Sequence, residues 1–158
     1  MKHKTRLILW ALISVFIMAA IFSFSAQDAE SSKELSGSLL LKIKVLVDLL
    51  PDIFGGSDGN KIRKYAHLFE FMCLGGSGFM FFSELYYLQR GRIGRAFLST
   101  LMFGLVNALT DEVHQIFVPG RACQLRDILI DFVGVLLAAA ALGAVYTLTI
   151  KKREQKDE

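Results

Sequence analysis

The stretch LILWALISVFIMAAIFSFSA, Leu7 to Ala26, contains no ionisable side chain. Its length matches the roughly 20 residues that a helix needs to cross a bilayer. It is apolar on every side, so it cannot be the surface helix of a soluble domain, which keeps one polar face. Three further blocks have comparable length, Ala66 to Leu88, Phe97 to Phe117 and Ile128 to Ile150. Hydrophobic residues make up 53% of the 158, a share that a soluble protein can also reach, but here they are gathered into blocks rather than spread periodically. A soluble helical bundle is the competing reading, and the first and fourth blocks argue against it.

The sequence therefore predicts an all-α integral membrane four-helix bundle. Its helices should lie at about 7–26, 62–88, 96–117 and 127–150, within a single domain over 1–158. The basic start MKHKTR would suit a signal peptide, and Ala26 is small. The apolar run is long for one, however, and cleavage after Ala26 would put Phe24 where a small residue is expected. A retained helix is the better reading.

Lys and Arg in the short flanks give the orientation. Lys2, Lys4 and Arg6 precede the first helix, Arg90, Arg92 and Arg95 lie in the turn between the second and third, and Lys151, Lys152, Arg153 and Lys156 follow the fourth. These three segments share one side, so both termini should be cytoplasmic at a bacterial plasma membrane. The segment Gln27 to Tyr65 balances Lys33, Lys42, Lys44, Lys61, Arg63 and Lys64 against Asp28, Glu30, Glu34, Asp48, Asp52 and Asp58, as an exported loop (27–61) should. The net charge of +3 thus reflects orientation, and no basic patch for nucleic acid is present. Within the loop, a capping box at Ser31-x-x-Glu34 precedes Leu35, Leu39, Ile43, Leu46, Leu50 and Ile53. This stripe predicts an amphipathic helix on the outer leaflet, covering the bundle or forming a lid. Gly134 and Ala138, then Ala139 and Gly143, are small residues four apart and predict close helix packing in the fourth span. Cys73 and Cys123 lie at different depths, and both read as small packing residues.

Ionisable residues inside a membrane are costly and by default point to function. On the second helix Arg63, His67 and Glu70 share a face, at spacings of four and three. On the third, Asn107, Asp111, His114 and Gln115 form one stripe with Glu112 beside it, and on the fourth Asp127 and Asp131 are one turn apart. At 1.5 Å per residue, Asp111 lies about 9 Å below a helix end at Phe117, and His67, Glu70 and Asp131 lie at comparable depths below their own outer ends. Three helices thus bring polar groups to one level just under the outer surface. Pro119-Gly120 signals a turn, and Arg121 after it would hang over that level, where its fork suits a phosphate or carboxylate.

These groups could also simply pair and fix helix register. Taken together they exceed what register requires, which favours a site. His67 or His114 could serve as a general base oriented by an acid, and binding of a polar head group fits equally well. The residues fix no cofactor. Two histidines with several carboxylates suit zinc or manganese, but no HExxH or comparable motif is present, so a divalent metal is not the favoured reading.

The chain resembles the VanZ-like family of bacterial membrane proteins over nearly its whole length. The resemblance runs through FSFSAQ with Ser32 and Ser36, IRKYAHLFEF (Ile62 to Phe71), DEVHQIFVPGR (Asp111 to Arg121), and Asp127, Asp131 and Gly134. Two positions depart from the family pattern. Ala122-Cys123-Gln124 stands where small or polar residues are usual, and Ala138 replaces a common second glycine. The motif residues carried over are Arg63, Lys64, His67, Glu70, Asp111, Glu112, His114, Gln115, Arg121, Asp127 and Asp131. The resemblance implies a cell-envelope protein linked to glycopeptide resistance, because the family's namesake is associated with lowered sensitivity to teicoplanin, a lipidated glycopeptide. The expected partners are membrane lipids and a lipid-linked envelope precursor or lipoglycopeptide. On this reading His67, Glu70, Asp111, Glu112, His114 and Asp131 are the catalytic candidates, and Arg63, Lys64, Gln115, Arg121 and Asp127 bind the ligand. The alternative is a non-catalytic interaction protein whose polar network is structural.

Overall fold

Large apolar side chains cover the outside of this bundle as well as its core. In the computed structural model, which describes residues 3–27, 58–86 and 93–157, the first helix α1 (His3–Ser25) buries only Ser14, Ile21 and Ser25. Its Ile8, Leu12, Val15 and Phe16 point outward. Three more helices follow, α2 (Asp58–Leu85), α3 (Ile93–Gln115) and α4 (Leu125–Asp157). On α3 the inward stripe is Ala96, Thr100, Gly104, Asn107, Ala108, Asp111, Glu112 and Gln115, all small or polar, while Leu98, Met102, Val106, Leu109 and Val113 are exposed. An apolar outside is the arrangement that lipid demands, and the interior combines these small and polar residues with the buried Phe71, Leu74, Phe79 and Val135. All four helices are long and apolar enough to cross a membrane, so the chain is an all-α, multi-pass membrane four-helix bundle.

The element boundaries differ from expectation by a few residues, with α1 starting at His3, α2 running Asp58–Leu85 and α3 starting at Ile93, and at two further places. α3 stops at Gln115 rather than Phe117, because the chain then tightens into three-residue turns, with Phe117 N donating to His114 O at 3.0 Å and Val118 N to Gln115 O at 3.1 Å. α4 starts two residues early and continues to Asp157, so the basic residues after Ile150 prolong the helix. The expected outer-face amphipathic helix and lid (residues 31–53), together with Arg90 and Arg92, lie outside the described residues.

Packing centres on α2 and α4, which share the largest interface, with α3 against both. A Cβ built on Gly134 would lie 2.5 Å from the Leu68 carbonyl oxygen, and one on Gly75 would lie 2.7 Å from Val135 Cα. The two backbones therefore touch, as small residues in membrane helices permit. Val135 fills the notch left by Gly104 of α3, where an added Cβ would lie 2.5 Å from Val135 Cγ1. Further along α4, Ala139 packs with Phe79 and Ala96. α1 packs on α2, touches α3 lightly and does not meet α4. Polar links hold it: Ser14 Oγ donates to Ser77 Oγ at 3.0 Å, and His3 Nδ1 and Arg6 Nε lie 2.6 and 3.1 Å from the buried Glu84 carboxylate.

Candidate functional site

α1 and α3 end where α2 and α4 begin, and the polar residues gather at this end of the bundle. Asp111 and Asp131 are each 0% exposed and Glu112 is 1% exposed. Asp111 Oδ2 accepts hydrogen bonds from Ser25 Oγ at 2.9 Å and from Gln115 Nε2 at 2.8 Å. Its other oxygen, Oδ1, is buried without a partner. Across from it, His67 Nδ1 stands 3.7 Å from Asp131 Oδ1, too far for a hydrogen bond. One ligand-type atom from each of His67, Asp111 and Asp131 falls within 4.8 Å of the others, and the three residues come from three different helices. A space of about 10 Å³ lined by Arg63, Lys64, His67, Asp127, Ile130 and Asp131 opens beside them, enough for about one water or ion.

The turn after α3 carries the overhanging arginine. Arg121 N donates to Val118 O at 3.1 Å, and Gly120 has φ 72°. Pro119 followed by a left-handed glycine is a type II turn. Arg121 is half-buried, and its Nη1 reaches Gln115 Oε1 only at 3.4 Å. Burial, and next the neighbouring Arg63, draw its pKa down, whereas Asp111, Glu112 and Asp127 act in the opposite direction. An arginine in such a setting stays charged.

The other expected residues have different surroundings. Glu112 Oε2 accepts the Gln124 backbone N–H at 2.7 Å, which ties the loop to the start of α4, where negative charge is favourable. Asp127 sits in the first turn of α4. His114 turns its ring onto Phe22 of α1, with centroids 5.3 Å apart, and is not one of the three converging residues. Glu70 is half-buried one turn deeper, within electrostatic reach of Asp111. Asn107 donates to its own helix at Phe103 O, 2.8 Å away. Cys73 is half-buried, but Cys123 is exposed, which corrects the expectation that it packs. Local desolvation, then the Glu112 charge and the hydrogen bond to it, push the Cys123 thiol pKa up.

Ser25 was not among the expected residues, although it lies within the FSFSAQ run. A serine at the end of an apolar helix is unremarkable until the fold places Asp111 beside it.

The buried polar atoms left without hydrogen bonds are not scattered. Among the described residues they are His67 Nδ1, Asp111 Oδ1, Glu112 Oε1, His114 Nδ1, Arg121 Nε, Asp127 Oδ1, both Asp131 oxygens and, away from the cluster, Ser83 Oγ. Buried polar groups are nearly always satisfied, so such a concentration calls for a ligand, ion or reacting group. The larger cavity, about 200 Å³ and lined by Ala11, Ser14, Val15, Met18, Gly78, Phe81, Phe82 and Phe103, holds no titratable group, so the chemistry does not lie there. The family model described as VanZ/LLP1 matches residues 10–147. No curated protein and no solved structure matches the chain.

Proposed function

Because the chain belongs to the VanZ/LLP1 family, we propose that it binds or modifies an anionic, lipid-linked head group at the outer membrane face and thereby affects glycopeptide susceptibility. The observation that carries this reading is the concentration of unpartnered buried polar atoms at one end of the bundle. Arg63 and Lys64 line the adjoining space, and Arg121 stands on a fixed turn near Gln115. In this reading the arginines clamp the anion, while His67 serves as base or ligand and Asp111 and Asp131 as acids. A purely structural network would explain the Ser25–Asp111–Gln115 bonds, but it would leave the remaining acceptors with no reason to be buried.

Arg121 tests the clamp. Its backbone is set by the Pro119-Gly120 turn, so loss of the side chain should leave folding nearly unchanged. A hydrogen bond to a charged partner contributes about 1.5–3 kcal/mol, so Arg121→Ala should weaken function about tenfold to a hundredfold. Arg121→Lys keeps the charge without the fork and should fall between. The readout is teicoplanin susceptibility of a sensitive host expressing each variant at equal protein level. Wild-type behaviour of Arg121→Ala would make the residue an interfacial anchor.

The proposed orientation puts the site on the outside, with both termini cytoplasmic. In intact cells an impermeant maleimide should then label the exposed Cys123. It should spare Gly94→Cys, a position where an added Cβ meets nothing within 4 Å. Only the thiolate reacts, and the Cys123 pKa is raised, so labelling should be slow at neutral pH and quicken as pH rises. Glu112→Gln, which removes the nearby charge, should speed it at neutral pH. Labelling of position 94 from outside would reverse the topology.

A further inference from the structure

We propose that His67, Asp111 and Asp131 form a binding site for one divalent first-row metal ion, zinc or manganese, which ties α2, α3 and α4 together. His67 Nδ1 and Asp131 Oδ1 are 3.7 Å apart. That spacing is too long for a hydrogen bond, yet it suits two ligands that share an ion at about 2.1 Å from each. The third ligand atom, from Asp111, completes a group whose members all lie within 4.8 Å of one another.

The ligands are also free to bind. Asp131 is 0% exposed with both oxygens unpartnered, and Asp111 is 0% exposed with Oδ1 unpartnered. Asp111 Oδ2 is meanwhile held by Ser25 and Gln115, as ligating carboxylates commonly are held by a supporting hydrogen bond. One imidazole with two carboxylates is a nitrogen–oxygen set that suits zinc or manganese. The missing HExxH pattern does not count against the site, because that motif places ligands on one helix and these come from three.

Charge points the same way. With the carboxylates ionised and the histidines neutral, the forms that bind a metal, five acids (Glu70, Asp111, Glu112, Asp127, Asp131) face three bases (Arg63, Lys64, Arg121), an excess of two negative charges. A divalent ion cancels that excess. Three protein ligands also leave a coordination position for a water or a phosphate oxygen. This last step rests on the head-group reading, but the ion site does not.

The test uses the purified full chain in detergent, stripped with a chelator, dialysed and titrated with MnCl2 or ZnCl2 alone. Wild type should bind one equivalent saturably, with a rise in Tm. His67→Ala and Asp131→Asn should each weaken binding at least tenfold, and the nitrogen coupling in the pulsed EPR spectrum of bound manganese should vanish in His67→Ala. His3→Ala, which alters a histidine at the opposite end of the bundle, should bind as wild type. Asp131→Asn keeps shape while removing a buried charge, so it decides the matter if His67→Ala does not fold. Absence of saturable binding of either ion by wild type overturns the proposal, as does binding that Asp131→Asn leaves intact. Because no head group is present, failure of the head-group reading leaves a positive titration standing, and a failed titration leaves that reading standing.

Discussion

Gly134→Ala should deprive the membrane of most folded protein. The added methyl would sit 2.5 Å from the Leu68 carbonyl oxygen, 3.1 Å from Met72 N and 3.3 Å from Phe71 Cβ. Two of these three atoms are backbone, and no side-chain rotation relieves them. Overpacking costs about 1–3 kcal/mol where side chains can yield, and here α2 and α4 must separate along their main interface. The fraction of monodisperse protein and the Tm in detergent measure the effect. Gly75→Ala should behave alike, since its methyl meets Val135 Cα and O at 2.7 and 2.8 Å. Gly104→Ala differs in kind, because its methyl meets only the Val135 side chain, so Val135→Ala should restore much of the lost stability. Wild-type Tm in Gly134→Ala would mean that the two helices do not touch as described.

Asp111→Asn should separate function from folding. Asparagine keeps the shape and can still accept a hydrogen bond from Ser25 or Gln115, so the bundle should insert and purify. The negative charge and the free oxygen facing His67 and Asp131 are lost. Function, read as teicoplanin susceptibility at equal expression, should drop at least tenfold, in line with loss of a charged hydrogen-bonding partner worth about 1.5–3 kcal/mol. Glu70→Gln removes charge one turn deeper and should act in the same direction. Asp111→Leu completes the comparison. Asp111→Leu alone leaves Ser25 and Gln115 unpaired, so Ser25→Ala and Gln115→Leu accompany it. A network that serves packing alone often tolerates such an apolar set, and full activity in Asp111→Asn and in this triple variant would make the cluster structural.

The four spans were legible because an apolar block of bilayer length needs no tertiary information. The polar stripes were legible too, since spacings of three and four put Arg63, His67 and Glu70 on one helical face whatever the fold. Pairings between helices were not. Ser25 and Asp111 are 86 residues apart, and nothing local in either marks the other. Glu84 lies within an apolar block of the sequence, and the groups that account for its charge, His3 and Arg6, belong to another helix. His114 shares the Asp111 stripe by spacing, but its position on the helix turns it toward Phe22, and only the location of α1 shows that. Glu112 looked like another acid of the site, and the backbone N–H it accepts belongs to a loop residue whose path the sequence does not fix. Gly134 was legible as a close-packing position, whereas the notch at Gly104 that Val135 fills needed the helices in place.

The Glu112–Gln124 bond also bears on how the protein enters the membrane during synthesis. α1 carries no charge between Leu7 and Ser25 and can leave the translocon alone. α3 holds Asp111 and Glu112, and an acid costs up to about 2.5–3.5 kcal/mol to insert in a lone helix, with the full amount applying at its centre. The donor that takes up Glu112 is only twelve residues further along the chain, at the very start of α4. α3 and α4 are thus suited to cross as a hairpin, with acid and donor emerging almost together. The connection that positions Arg121 thus also lowers the cost of bringing Glu112 into the bilayer.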